Sequence, residues 1–146
     1  MNEKILEIRE VEEYDYEDNQ NELLSGIYDG YIIKTDRQEI FLFIESYNFG
    51  GCCETFGYIT SEDNIQDLVG TTLHGISTTD TAYKTKKGLE EIIKGHAGHS
   101  GVENTIFINL DTRKGDLQFV AYNIHNGCYG HDVLIRSRKF VLKEQI

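Results

Sequence analysis

The sequence predicts an α+β fold that is predominantly antiparallel β-sheet, with one or two short helices. Apolar and polar residues alternate along several segments, as they do in half-buried strands. The chain has no proline, so Gly, Asn and Asp supply its turns. Because 146 residues suffice for one hydrophobic core and not for two, we expect residues 1–146 to form a single domain.

The strand predictions follow the two-residue period along the chain. A first strand covers 4–12, and two strands at 26–36 and 38–46 form a hairpin around a turn at Thr35–Gln38. A second hairpin turns at Asp111–Asp116. The remaining predicted strands, including those of the second hairpin, are 71–78, 105–112, 115–124 and 132–142.

Two segments have helical patterns. In the first, Ser61 can cap the N-terminus, an apolar stripe follows, and Gly70 can end the helix in a left-handed conformation. The second runs from Thr85 to Gly95, although Lys86 and Lys87 oppose the helix dipole at its start. The apolar stripes are Ile65, Leu68 and Val69 in the first segment and Leu89, Ile92 and Ile93 in the second.

Negative charge is concentrated in the N-terminal third. The formal net charge is −11; residues 1–54 hold 14 acidic and 4 basic side chains, and residues 55–146 hold 11 and 10. The densest part is the acidic segment at about 10–22, which also contains two tyrosines. This segment is either an acidic face that imitates nucleic acid or docks on a basic protein, or a solvated arm or hairpin edge. Direct binding to nucleic acid is disfavoured because phosphates are repelled.

The composition favours a cytoplasmic protein. Cys52 and Cys53 are adjacent and the cysteine count is odd, so reduced thiols are expected. No apolar stretch has the length of a membrane span. The first residues carry carboxylates where a signal peptide needs a basic end, so we expect no membrane insertion and no secretion.

An internal repeat relates residues 37–58 to residues 113–133. The alignment places Arg37 on Arg113 and Phe43 on Phe119, and after a gap of one residue it places Cys53 on Cys128. We therefore expect two pseudo-repeated hairpin units, each ending in a glycine-containing and cysteine-containing turn.

The late turn has the side chains of a zinc site. The spacing of His125, Cys128 and His131 is H-x2-C-x2-H, and the earlier turn adds Cys52, Cys53 and Glu54. Thiolates and imidazoles are the ligands that zinc prefers, and a cysteine beside a histidine base can act as a nucleophile. The structural alternative is that Asn126-Gly127 reverses the chain and Cys128 is buried. His96 and His99 have similar spacing, which a surface loop also explains.

An anionic ligand is the other candidate. Arg136 and Arg138 lie two residues apart in the predicted strand 132–142, so both point to one face and can hold a phosphate or carboxylate. A charged edge strand is the structural alternative. The candidate ligand-binding residues, including those of the adjacent turn, are Asn123, Asn126, Gly127, Tyr129, Arg136 and Arg138.

Three segments, "CCETFGYI", "DLVGTTL" and "TRKGDLQFVAYNIHNGCYGH", resemble a family of small phage and prophage proteins without a known activity. That family has a Cys-Cys-Glu motif, an Asp and Gly segment, and a late Asn-Gly-x-Tyr turn. The matching residues are Cys52, Cys53 and Glu54, then Asp67 and Gly70, then Asn126, Gly127 and Tyr129. The resemblance implies the cytoplasm of an infected or lysogenic bacterial host.

Two classes of function follow. The first is a non-enzymatic inhibitor or sequestering protein of phage type, without a cofactor, that binds a host defence or signalling protein or a small anionic ligand. The alternative is a small zinc- or thiol-dependent hydrolase that uses the Cys and His residues of the turns. The oligomeric state stays open, and a homo-oligomer is compatible with either class.

Overall fold

A computed structural model describes residues 1–46, 55–94, 102–125 and 130–146. This part of the chain forms nine strands, all in antiparallel pairs, with one α-helix and two 3₁₀ helices. The predicted antiparallel β fold with short helices is confirmed. The strands are β1 (Glu3–Tyr16), β2 (Gly26–Thr35), β3 (Glu39–Glu45), β4 (Thr55–Thr60), β5 (Thr72–Thr79), β6 (Val102–Thr112), β7 (Gly115–His125), β8 (Asp132–Arg136) and β9 (Val141–Gln145). The helix α1 spans Lys86–Lys94, and the 3₁₀ helices span Glu22–Leu24 and Ile65–Leu68.

The strand order is β4-β7-β6-β5-β1-β2-β3-β8-β9. The β1–β5 junction is short, because only Glu3 and Lys4 pair with Leu73 and Thr72. The order therefore divides into a first sheet, β1-β2-β3-β8-β9, and a second sheet, β5-β6-β7-β4. The two sheets pack against each other, since buried residues of both belong to one inner core. That core includes Ile33, Leu42, Ile44, Ile108, Leu110 and Phe119.

The first sheet is apolar on its other face as well. Residues of β2 and β3 alternate between the inner core and an outer cluster, as the pleat of a strand requires. Tyr16 at the end of β1 and Leu24 in the first 3₁₀ helix cover this outer cluster. The other buried members of the cluster are Tyr28, Ile32, Phe43 and Leu134. The acidic segment is therefore packed on the sheet over part of its length.

The two halves of the chain exchange a strand. The hairpins β2–β3 and β6–β7 are both formed, as predicted. The strand after each hairpin pairs with the other hairpin, so β4 lies beside β7 and β8 lies beside β3. Each sheet consequently combines strands from both halves of the chain.

The hairpin turns share a hydrogen bond. In each, the backbone N–H two residues after a threonine donates to the threonine hydroxyl, from Arg37 to Thr35 at 3.1 Å and from Lys114 to Thr112 at 3.2 Å. An offset of 77 positions aligns these two threonines (112 − 35 = 77). The same offset aligns Leu42 with Phe119, and both side chains lie in the inner core. The sequence alignment instead matched Phe43 with Phe119, whose side chains face opposite sides of their sheets. It is therefore one residue out of register with the buried faces.

The helix prediction for residues 61–70 is wrong, whereas the second predicted helix is confirmed as α1. Only Ile65–Leu68 is helical, as a 3₁₀ turn, and the side chain of Asn64 caps it. Gly70 does adopt a positive φ of 94°. The turn cannot lengthen because the N–H of Gly70 already donates to the carbonyl of Ile5 in β1 at 2.8 Å.

The prediction of one strand over 132–142 is also wrong. The chain turns between β8 and β9, where the N–H of Ser137 donates to the Phe140 carbonyl at 2.7 Å. The hydroxyl of Ser137 accepts the N–H of Phe140 at 3.0 Å. A serine that bonds to nearby backbone groups favours a turn over a continued strand. Arg138 therefore lies in a turn, and not on a strand face beside Arg136.

We predict that Gly30→Ala destabilises the protein by about 3 kcal/mol or more. Gly30 has a φ of 144°, and a Cβ there would lie 1.9 Å from the carbonyl oxygen of Leu42 on β3. Chemical denaturation measures the effect. Gly75→Ala is the matched control, since a Cβ at Gly75 on β5 meets no described atom within 4 Å. Equal free energies of unfolding for the two variants would contradict the packing at Gly30.

Candidate binding surface

Arg136, at the end of β8, forms an ion pair with Asp18 in the loop after β1. Its Nε donates to one carboxylate oxygen of Asp18 at 2.9 Å, and its Nη2 is 3.5 Å from the other. Nη2 also donates to the side-chain oxygen of Gln20 at 3.0 Å. The side chains of Arg136 and Asp18 are only 15% and 3% exposed. The charge of Arg136 is thus largely neutralised within the molecule.

Asp18 accepts hydrogen bonds from several further groups. The Tyr16 hydroxyl donates to it at 2.6 Å, and the backbone N–H groups of Gln20 and Asn21 each donate at 2.9 Å. Burial raises the pKa of Asp18, but these bonds and Arg136 outweigh burial and lower that pKa to about 2. Burial and the Asp18 carboxylate together raise the pKa of Tyr16 to about 12. Asp18 therefore connects β8 to the loop between Tyr16 and Leu24, which we call the acidic loop.

Arg138 lies in the β8–β9 turn and is exposed. Its backbone N–H donates to the side-chain oxygen of Gln38 at 2.7 Å, and its Nη1 lies 3.5 Å from the carbonyl oxygen of Arg37. The Arg138 turn is therefore attached to the β2–β3 turn. Unlike that of Arg136, the charge of Arg138 has no described carboxylate partner.

A groove of about 480 Å³ lies between the acidic loop and the β8–β9 turn. Aromatic rings form part of its wall: Tyr16 and Phe41 have centroids 4.7 Å apart, and Tyr14 lies beside them. A second cavity of about 650 Å³ shares residues 16–20 with the groove and is also lined by Glu22, Ser25 and Gly26. The charged residues that line one or both cavities are Asp15, Glu17, Asp18, Glu22, Glu39, Arg136 and Arg138. Carboxylates thus outnumber guanidinium groups around the acidic loop.

The outer edge of β1 is open over its second half. Near its start, Gly70 and Thr71 bond to the backbone of Ile5, and the side-chain amide of Gln66 donates to the carbonyl of Ile8 at 2.7 Å. From Glu10 to Tyr16, no described segment forms backbone hydrogen bonds with this edge. The exposed acidic residues along and just beyond it are Glu10, Glu12, Glu13, Asp15 and Glu17.

A β-bulge interrupts β1 at this edge. The pairing with β2 shifts register between Val11 and Tyr14, and Glu13 has a φ of 48°. The N–H of Glu13 donates to the Asp29 side chain at 2.8 Å on the β2 side. Closer to the junction with β5, the Tyr58 hydroxyl donates to the Glu10 carboxylate at 2.6 Å. These contacts fix the second half of β1 to β2 in the first sheet and to β4 in the second sheet.

Two predicted site residues, Asn123 and His131, are fully buried. The side-chain amide of Asn123 donates to the Ile146 oxygen at 3.1 Å. The ring of His131 stacks on Phe56 with centroids 3.8 Å apart, and its Nδ1 lies 2.8 Å from the carbonyl oxygen of Glu45. His131 and Ile146 also exchange backbone hydrogen bonds at 2.9 Å. Both side chains therefore join β4, β7 and the C-terminal segment inside the protein.

Most residues of the proposed zinc or thiol site lie outside the described residues. They are Cys52, Cys53, Glu54, Cys128 and the side chain of His125. The anion-site candidates Asn126, Gly127 and Tyr129, and the His96 and His99 pair, also lie outside the described residues. Within the described ranges, no group of three or more His, Cys, Asp or Glu side chains could hold a metal ion. Within the same ranges, no helix has the length and apolarity needed to cross a membrane.

Comparisons of the chain with protein-family models, with curated proteins and with solved structures gave no significant match.

Sequence reasoning identified Arg136 but not its partner. Asp18 and Arg136 are 118 positions apart, and no local pattern connects them. The groove residues Glu39 and Phe41 were missed for the same reason, because β3 lies beside the acidic loop only in the tertiary structure. The alternation of carboxylates with Tyr14 and Tyr16 was the available signal, since the tyrosines of an acidic strand need an apolar surface on which to pack.

We predict that Asp18→Asn lowers the free energy of unfolding by about 1–2 kcal/mol at neutral pH, through loss of charge-assisted hydrogen bonds. Because the folded pKa of Asp18 is about 2, below its ordinary value of 3.8, this stabilisation is present above about pH 4. It is lost as the pH falls through about 2. Denaturant unfolding of both proteins between pH 2 and pH 7, as an approximate range, measures the difference.

The matched control is Asp63→Asn, since Asp63 is exposed and has no described hydrogen bond. We expect it to change the stability by less than about 0.5 kcal/mol at any of these pH values. A pH-independent difference between Asp18→Asn and the unmodified protein would contradict the ionised pair.

We predict that His131→Ala lowers the free energy of unfolding by about 2–4 kcal/mol, because it removes a fully buried ring that packs on Phe56. His74→Ala, at an exposed histidine, serves as the control and should have little effect. Denaturant unfolding and elemental analysis are measured on the same samples. Stoichiometric zinc in the unmodified protein that is lost from His131→Ala would instead favour a zinc centre at the late turn.

Proposed function

We propose that this chain is a non-enzymatic binding protein, an inhibitor or sequestering protein of phage type, that docks its acidic N-terminal surface on a basic host protein. The observation that carries the proposal is the arrangement of charge around the acidic loop. Asp15, Glu17, Asp18, Glu22 and Glu39 line two adjoining cavities, whereas Arg136 is already paired with Asp18.

This arrangement favours a cationic partner over a small anionic ligand. An anion in the groove would approach the carboxylates of Glu17 and Glu39 and would compete with Asp18 for Arg136. A lysine or arginine side chain would approach the same carboxylates attractively and could also lie against the rings of Tyr14 and Phe41. We therefore place the basic protein first among the partners that the sequence left open.

The charge asymmetry adds long-range attraction to the contact itself. Exposed charges act over about a Debye length of 8 Å at physiological salt, and an acidic face accelerates encounter with a basic partner. The outer cluster holds Tyr16 and Leu24, so that the acidic loop between them is anchored before binding. An anchored loop loses less conformational entropy on binding than a free arm does.

The resemblance to phage and prophage proteins supports a host target in the bacterial cytoplasm. An acidic protein that covers a basic functional surface inhibits by occupancy, and it needs no catalytic group. A defence or signalling protein that binds nucleic acid through basic residues has the chemistry of such a target.

We also propose that the chain contains two pseudo-equivalent units, β2–β3–β4 and β6–β7–β8, related by an offset of 77 positions. The matching turns at Thr35 and Thr112 and the reciprocal pairing of β4 and β8 support this equivalence. Superposition of the two units in an experimental structure tests it. Failure of the strands to superpose at this offset would refute the equivalence.

We predict that the double variant Glu12→Lys/Glu17→Lys loses its basic host partner, because two exposed carboxylates of the acidic surface become cations. The tagged protein is expressed in a bacterial host, the bound proteins are identified by mass spectrometry, and binding is repeated with the purified partner. We expect at least a tenfold loss of affinity, as an order of magnitude, and weaker binding of the unmodified protein at higher salt.

The matched control is Glu90→Lys/Glu91→Lys, which makes the same change of charge on the exposed side of α1. This variant should retain the partner. Equal binding by the two double variants would contradict docking through the acidic surface, as would a purified partner whose affinity is insensitive to salt.

A further inference from the structure

We propose that the open edge of β1, from Glu10 to Tyr16, binds an extended basic segment of the partner as an added β-strand. This inference rests on the proposed function and specifies how the acidic surface engages its partner. The occupant is a lysine- or arginine-containing strand, and its backbone pairs with β1 antiparallel or parallel.

The first argument comes from the backbone. β2 pairs with one side of β1 as far as Tyr16, but on the other side the pairing with β5 ends at Lys4. Contacts from Gly70, Thr71 and Gln66 extend that side only to Ile8. Beyond this point the edge offers peptide N–H and C=O groups to solvent within the described part of the chain, which is the surface that strand addition uses.

The second argument comes from charge. The side chains along and just beyond this edge include the exposed carboxylates of Glu10, Glu12, Glu13, Asp15 and Glu17. Cross-strand neighbours of opposite charge stabilise a pair of strands, and like charges directly opposite each other destabilise it. A second copy of the chain would bring an identical acidic row opposite the first. The edge therefore discriminates against self-pairing and favours a cationic strand.

The third argument is that the edge is already rigid. The ring of Tyr14 lies 5.9 Å from that of Phe43, and Tyr16 is buried in the outer cluster. Glu10 is held by the Tyr58 hydroxyl. Strand addition consequently orders the incoming segment alone, and the entropic cost on this side is small. The bulge at Glu13 divides the edge into two short ladders, which disfavours a long, flat aggregate but allows one short peptide.

Two synthetic peptides test this inference on the full chain. One alternates lysine and valine; the other has the same sequence with every backbone amide N-methylated, which removes the hydrogen-bond donors from both edges and keeps every charge. Isothermal titration measures affinity, and amide hydrogen exchange by NMR locates the contact. We expect the methylated peptide to bind at least about tenfold more weakly. We also expect amides between Glu10 and Tyr16 to gain protection with the first peptide only.

The outcomes separate this inference from the proposed function. Equal binding of the two peptides, sensitive to Glu12→Lys/Glu17→Lys but not to Glu90→Lys/Glu91→Lys, overturns strand addition and leaves electrostatic docking intact. Absence of binding by either peptide overturns strand addition, and the host-partner experiment then decides the proposed function separately. Concentration-dependent dimerisation that protects the same amides without peptide overturns the choice of occupant in favour of a second copy.

Discussion

Because neighbouring residues of β2 and β3 point to opposite apolar clusters, the first sheet must be covered on both faces. The second sheet covers the inner face, where Leu42 and Ile44 pack with residues such as Phe119. Within the described residues, no second sheet covers the outer face. Tyr16 and Leu24 cover it instead, so the loop between them is drawn down onto the sheet. That loop carries Glu17, Asp18 and Glu22, so these carboxylates are gathered at the rim of the outer cluster.

This packing also determines what the arginines can do. Once the loop lies over β3, the carboxylate of Asp18 reaches Arg136 and receives bonds from Tyr16 and from two backbone N–H groups. A partly buried cation and anion that satisfy one another leave little charge for an external ligand. The acids without such partners then dominate the electrostatic character of this side of the molecule. Of the two arginines at the groove, Arg136 is thus paired within the protein, whereas Arg138 has no described carboxylate partner.

The exchange of β4 and β8 between hairpins explains how two sheets with a short junction remain together. Only two residue pairs connect β1 with β5, but each sheet also contains a strand contributed by the other half of the chain. Separating the halves would expose the inner core and break both exchanged pairings. The open edge of β1 follows from the same geometry, because the pairing of β1 with β5 ends at Lys4 and no described strand takes the place of β5.

The amino-acid sequence by itself determined the local features. The two-residue period of apolar side chains, as in Leu117, Phe119 and Ala121, specifies the strands, and the turns Thr35–Gln38 and Thr112–Gly115 specify the hairpins. The charge asymmetry was also evident, because counting needs no coordinates. Where local hydrogen bonds compete closely, as at Asn64 and Ser137, the same patterns misjudged whether a helix or a strand would continue.

Only the tertiary structure decided which residues meet. Pairing of Asp18 with Arg136 spans 118 positions, and the burial of Asn123 and His131 depends on contacts with Ile146 and Phe56. Packing likewise decided which face of each strand is buried, and a one-residue shift in register reverses every face. These contacts arise from packing between segments that are distant in the sequence. Such packing produces no periodic pattern of residues that could be recognised in the sequence. The local pattern of residues predicted the strands and turns. Packing between the sheets decided which of their side chains lie on the surface.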